Sequence, residues 1–308
     1  MGSGSWSTDS WSTYSSKNID TKRSVSGSSG IYSSTKMDNE LNPKDVKFRE
    51  SCDSVEHPNS SPIIVALDVT GSMGSVLESI ARKGLNTLIT EVYNRKPIKD
   101  PHIMFMGIGD VEYDSQPLQV TQFEADIRIA EQLQKIYFER GGGGNDSESY
   151  TLPWYFANYH TKIDSYSKRG QKGLLFTIGD ECPPKKIGKD KITEFIGDEM
   201  QSDFTTEELL NSVAREWEVF HLIIEEGSFC RRNKDRVVKE WTDLLGQNAI
   251  IVSDHTKIAE IIVSILQRIN GEEVENIVSS WDGNTSIAVN KAIQGLDLTK
   301  KNKDIIEF

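Results

Sequence analysis

The sequence predicts an α/β fold: a doubly wound, mostly parallel central sheet with one antiparallel edge strand and helices on both faces. Three observations carry this. Almost wholly apolar runs at Ile63–Leu67, Ile103–Ile108 and Gly173–Ile178 read as strands buried on both faces, and Val219–Ile224 as another strand. Segments with apolar residues at helical spacing separate most of them. Three of the runs end in Gly-Asp or Asp followed by hydroxyl residues, where a strand hands over to a turn.

The chain has 308 residues, enough for one large α/β domain with extensions. Hydrophobic residues make up 36 % and mean hydropathy is −0.47, so part of the chain lies outside a core. A net charge of −12 argues against nucleic acid or an anionic membrane as the main partner and is compatible with cation binding. Three cysteines without a CxxC pair signal neither a disulfide framework nor a zinc cage. Their free thiols fit a reducing compartment. There is no secretory signal pattern and no apolar run of membrane-spanning length, so the expected location is cytoplasmic.

Residues 1–61 read as a Ser/Gly/Thr-rich N-terminal arm and linker. Ser5-Trp6-Ser7-Thr8 is echoed by Ser10-Trp11-Ser12-Thr13, too briefly for a structural repeat. Two expectations stand for this arm: a disordered polar segment, or an extended one whose aromatics dock onto the domain or a partner. The main domain spans 62–270. Its first strand is followed by a helix over Ser75–Arg95 and the strand Ile103–Ile108. Pro117–Phe123 alternates and reads as the edge strand. Helices are expected at 126–138 and, after a glycine loop, at about 148–167. The strand Gly173–Ile178 precedes a mixed excursion at 183–203. Thr205 with Glu208 forms a capping box that opens a helix to about Trp217. Val219–Ile224, a helix over Arg232–Leu245, the strand Ala249–Val252 and a helix over Lys257–Ile269 capped by Asp254 complete the domain. Residues 271–308 read as a polar C-terminal extension with short helices near Val274 and Ile287.

The first strand runs into Asp68-Val69-Thr70-Gly71-Ser72-Met73-Gly74. A carboxylate and two hydroxyls at alternate positions are all oxygen donors, which suits a hard divalent cation: Mg2+, or Mn2+ or Ca2+. In an open parallel sheet, ligands collect at the carboxyl ends of the strands. Asn145 or Asp146, beyond the glycines Gly141–Gly144, and Asp180, closing the third buried strand, reach the same edge. Ile178-Gly179-Asp180-Glu181 recurs as Ile196-Gly197-Asp198-Glu199, but only Asp180 follows an apolar strand. Asp110 closes another strand there and reads as a turn residue.

Together these segments resemble the metal-ion-dependent adhesion site of von Willebrand factor A domains. Asp68-Val69-Thr70-Gly71-Ser72 matches that family's D-x-[ST]-x-S element, Asn145 or Asp146 stands at its loop position, and Asp180 at its third acid. The resemblance covers roughly residues 62–270. It is nearest the intracellular branch, which reads D-x-T-G-S-M and carries a Gly-Gly-Gly-acid-x-x-Glu loop. It implies a metal held by Asp68, Thr70, Ser72, Asn145 or Asp146, and Asp180, with one coordination position left for an Asp or Glu of a partner protein. It also implies an intracellular complex, in some members with a MoxR-type AAA+ ATPase.

Other chemistries find less support. The tetraglycine is not followed by Gly-Lys-[Ser/Thr], so it is not a nucleotide loop. The five histidines are scattered, and no catalytic constellation assembles. A metal-dependent hydrolase built on the same acids, and an assembly subunit docking through its arm, are the alternatives to a binding module.

Overall fold

The computed structural model describes residues 4–20, 36–73, 76, 79–138 and 145–297. Gly74, Ser75, the tetraglycine Gly141–Gly144 and residues 298–308 lie outside them, as does the side chain of Ser72. The strands are β1 (Arg49–Ser51), β2 (Ser61–Asp68), β3 (Pro101–Ile108), β4 (Leu118–Val120), β5 (Thr161–Ile163), β6 (Gly173–Gly179), β7 (Lys186–Ile187), β8 (Phe204–Thr205), β9 (Trp217–Ile224) and β10 (Ala249–Val252). Six of them form the central sheet in the order β10-β9-β6-β2-β3-β4. Every pair is parallel except β3 with β4, the expected antiparallel edge.

β2 is central, and its side chains divide by parity. Ile63, Val65, Leu67 and Val69 enter one core with Phe105, Phe176 and Leu222 from neighbouring strands. Ile64 and Ala66 enter the other with Met104, Met106 and Leu175. This two-sided burial is why the strand reads as a continuous apolar run. Helices Leu85–Arg95 and Ile258–Ile269 cover the first face; Thr151–Tyr159 and Ser228–Leu245 cover the second. The capping box of Thr205 and Glu208 is formed. Asp254 caps a 3-10 turn, His255–Lys257, that leads into the last helix of the domain.

Several helices are shorter than expected, and the one opened by Thr205 ends at Val213, before Trp217 starts β9. The segment expected as one helix over 148–167 is a helix Thr151–Tyr159, the strand β5, and a short helix Asp164–Arg169. The linker supplies the reason: β1 pairs in parallel with β5, and β-branched Thr161 and Ile163 suit a strand. The helix expected over 126–138 spans Arg128–Leu133. Beyond it, the Gln119 amide donates to Tyr137 O and accepts from Tyr137 N, which holds that backbone out of a helix.

The flanking segments join the same core. The helix Thr8–Ser15 places Trp11 beside Trp6, both about nine-tenths buried against the first face. The Tyr14 hydroxyl donates to Ala130 O at 3.3 Å. In its described part the arm therefore docks. At the other end, helices Val274–Ser279 and Gly283–Ile293 bury Ile277, Val289 and Ile293 in the first core, and the Arg95 guanidinium lies 3.7 Å from the Trp281 ring centre.

At the amino-terminal edge of the sheet a buried chain links Ser51 Oγ to His102 Nδ1 (3.1 Å) and His102 Nε2 to His57 Nδ1 (2.8 Å). Burial, helped by the neighbouring His57 charge, holds His102 down to about 4. The unfolded chain protonates first as pH falls, so the folded state loses stability between about pH 6.5 and 4. Stability measured by urea unfolding is expected to drop by about 2–3 kcal/mol across that window. His102→Gln is expected to flatten the slope; an unchanged slope would refute the assignment.

Candidate metal centre

The order β10-β9-β6-β2-β3-β4 reverses direction between β2 and β6: the chain leaves β2 toward β3 and later continues from β6 toward β9 and β10. The crevice beyond the carboxyl ends of β2 and β6 is the switch point where such sheets bind ligands. Asp68 is the last residue of β2, and Asp180 follows the last residue of β6.

Both acids are fully buried. Asp68 Oδ1 accepts from the Thr70 backbone N–H (2.9 Å) and from the Thr70 hydroxyl (2.6 Å). Its Oδ2 accepts from the Tyr150 hydroxyl (3.3 Å). Burial pushes the Asp68 carboxyl up to about 7, and the Asp180 charge adds to the shift while the Thr70 and Tyr150 bonds oppose it. Asp180 Oδ2 accepts from Phe229 N (2.8 Å) in the first turn of the helix Ser228–Leu245, where a carboxylate is favoured by the unsatisfied N–H groups. The approach is close enough to require glycine. A Cβ on Gly227 would lie 2.1 Å from that of Asp180, and one on Gly179 would lie 2.0 Å from the Tyr150 oxygen.

Two acids that the motif reading passed over complete the cluster. Glu148 and Glu181 are both buried. Each carries an Oε2 that no donor reaches among the described residues. Burial first, then the charges of Asp68, Glu181, Asp110 and Asp114, push Glu148 up to about 11. Burial, followed by Asp68 and Asp180, pushes Glu181 up to about 8. Tyr150 ties the group together: its oxygen donates to Asp68 and accepts from Glu181 N at 3.4 Å. The signal for Glu148 lay in the sequence, since it fills the Glu position of a Gly-Gly-Gly-acid-x-x-Glu loop. Glu181 had no motif, only its place beside Asp180.

The structure thus brings Asp68, Thr70 and Asp180 together, and Asn145 and Asp146 border the same acids, each with a partner of its own. Asn145 is exposed and its amide donates to Asp110 Oδ2. Asp146 is half-exposed and forms an ion pair with Arg236 at 2.6 Å. Ser72 belongs to the single 3-10 turn Gly71–Met73 that follows β2. Asp110 is buried, accepts from Glu112 N at its carboxylate, and donates its own backbone N–H to Asp114 Oδ2, as a turn residue would. Asp198, the repeat of Asp180, lies apart, bonded to His160 Nε2 and the Tyr155 hydroxyl. Cys182 is buried and its thiol is pushed up to about 12, against a nucleophilic role.

The donor set fits a hard cation. Buried carboxylate oxygens without hydrogen bonds are costly, and a divalent ion would satisfy both their charge and their lone pairs. All the donors are oxygens, with no sulfur or imidazole among them, which favours Mg2+, Mn2+ or Ca2+ over zinc or copper.

No protein-family model matches the sequence, and no curated protein matches it. Among solved structures, the chain is similar to the pilus adhesin SpaC from Lactobacillus rhamnosus GG, with 12 % identity and a TM-score of 0.46 over 72 % of this chain and 31 % of that one. The open conformation of the same adhesin gives 11 % identity and a TM-score of 0.42, covering 72 % of this chain and 30 % of that one. A von Willebrand factor type A structure from Catenulispora acidiphila gives 13 % identity and a TM-score of 0.38, covering 70 % of this chain and 44 % of that one. The chain therefore spans less than half the length of each. No helix among the described residues is long and apolar enough to cross a membrane. The strand order itself establishes a doubly wound α/β sheet with one antiparallel edge.

Proposed function

We propose that the crevice beyond β2 and β6 holds a divalent cation, and that the protein is a binding module of the von Willebrand factor A type that takes an acidic side chain of a partner protein onto that ion. The observation that carries the reading is the buried acid cluster at the switch point, in which Glu148 and Glu181 each keep an unbonded oxygen. Asp68, Asp180 and Thr70 would hold the ion, with Ser72 from the following turn. Glu148 is the nearest buried acid of the loop segment, in preference to Asn145 or Asp146, which already have partners. When bound, the cation supplies positive charge and an exchangeable coordination position to a surface that is otherwise acidic. The chain's own residues do the positioning. Phe229 N fixes one Asp180 oxygen, Thr70 and Tyr150 fix Asp68, and Gly227 and Gly179 leave the space. An AAA+ ATPase of the MoxR type is the partner class that the motif resemblance suggests.

Manganese tests the reading through water-proton relaxation. One saturable Mn2+ site with strong relaxation enhancement is expected, and the enhancement should fall when a Glu-containing peptide is added. Absence of a saturable site would refute the metal centre. Enhancement that ignores the peptide would refute carboxylate capture.

A further inference from the structure

The opposite edge of the sheet carries a second feature of contrary charge. A cleft of about 670 Å³ opens between the start of β2, the start of β6 and the turn after the helix Leu85–Arg95. That volume lies within the range of about 300–1,000 Å³ typical of small-molecule sites. Four cationic residues line it, Lys96, Lys99, Arg169 and Lys172, in a chain whose net charge is −12. Lys96 and Lys99 are exposed and have no ion-pair partner among the described residues. The turn that presents them is bracketed by left-handed backbone at Lys96 (φ 50°) and Asp100 (φ 39°), uncommon for residues with a Cβ.

Two buried donors in the wall are unspent. Ser165 is 2 % exposed and its hydroxyl has no hydrogen-bond partner among the described residues. Arg169 is anchored by Asp53 Oδ2 (2.7 Å) and Ser60 O (2.8 Å), yet its Nε–H has no partner among the described residues. Such groups cost stability when left unmade, and a ligand with several acceptor oxygens would satisfy them. Lys172 is partly committed, donating to Ala214 O. Glu218, the acid in the lining, accepts from the Asn248 amide. Ile98, Leu174 and Ile269 give the cleft an apolar side.

We propose that this cleft binds a small organic phosphate, its phosphate oxygens accepting from Lys96, Lys99, the Ser165 hydroxyl and Arg169 Nε–H, and its apolar body against Ile98 and Leu174. A phosphate suits the set because it offers several acceptor oxygens and more than one negative charge. The site lies at the amino-terminal edge of the sheet, away from the acid crevice, and does not depend on the metal reading.

Calorimetric titration of the full chain with ADP in EDTA tests it, since chelation removes any metal-bridged phosphate contact at the other edge. Saturable single-site binding is expected, with inorganic pyrophosphate at least tenfold weaker. The exposed double variant Lys96→Glu/Lys99→Glu should weaken ADP binding at least tenfold, and Ser165→Ala severalfold. Asp68→Asn should leave it unchanged. No saturable ADP binding, or affinity indifferent to the double charge reversal, would overturn the site. Pyrophosphate binding as tightly as ADP would overturn the role of the apolar wall.

Discussion

Asp68→Asn is expected to stabilise the cation-free protein and to abolish its stabilisation by magnesium. The two effects have opposite signs and one cause. Asp68 is wholly buried beside Asp180, and its carboxyl is pushed from the ordinary carboxylate range up to about 7. The unfolded chain ionises first as pH rises, so the folded state loses stability from about pH 4 to about 7, and the loss is complete above that. Its size at pH 8 is on the order of 2–4 kcal/mol. Asparagine removes the charge and keeps an oxygen for the Thr70 N–H and hydroxyl, and its amide can donate to the Tyr150 oxygen.

Wild type should respond to Mg2+ because binding only the folded state adds about 2.7 kcal/mol at a hundredfold excess over Kd. For a domain of this size that is a rise of roughly 5–10 °C in Tm. Melting curves at pH 8 with EDTA and with MgCl2 decide the matter. Wild type should shift upward with Mg2+; Asp68→Asn should start higher and not move. A wild-type Tm indifferent to both Mg2+ and Mn2+ would refute the metal centre, and an Asp68→Asn shift equal to wild type would remove Asp68 from it.

Each part of the fold and the crevice is legible or hidden in the sequence for a physical reason. β2, β3, β6 and β9 were legible because burial on both faces leaves few polar positions in the strand, Thr177 and His221 among them. Asp68 and Asp180 were legible because each sits at the end of such a strand, so that strand placement fixed the acid's place too. Asn145 and Asp146 lie in a loop, where a side chain's direction depends on partners distant in sequence, here Asp110 and Arg236. Glu148 and Glu181 escaped because charged residues are expected outside a core unless paired. The arm's aromatics were expected either to dock or to lie in a disordered segment, and Trp6 and Trp11 dock, two apolar anchors set in polar surroundings. β5 escaped because its pairing with β1 bridges more than a hundred residues, and no local pattern encodes that.

Trp241→Ala should be the most damaging single change, and it links the second core to the acid crevice. Trp241 is fully buried in the helix Ser228–Leu245. Its ring stacks on His221 at 3.5 Å between centres and 7° between planes, and stands edge-on to Tyr150 and Trp154 at 5.4 and 6.3 Å. Its Nε1–H donates to Glu181 O at 2.8 Å. Truncation would leave a large cavity beneath Tyr150, at a cost of about 3–5 kcal/mol for a buried Trp-to-Ala change. The broken aromatic contacts contribute to that cost, and the orphaned Glu181 carbonyl adds about 1 kcal/mol. Trp241→Phe refills much of the volume and loses the N–H, so it should cost only about 1–2 kcal/mol. Urea unfolding separates the two substitutions. The magnesium response separates support of the crevice from bulk stability: Phe, which keeps a ring under Tyr150, should retain most of it, whereas Ala frees both Tyr150 and the Glu181 backbone and should lose it even where the protein remains folded. An alanine variant within 1 kcal/mol of wild type, or one that keeps the full magnesium shift, would mean that the acids hold their positions without this buttress.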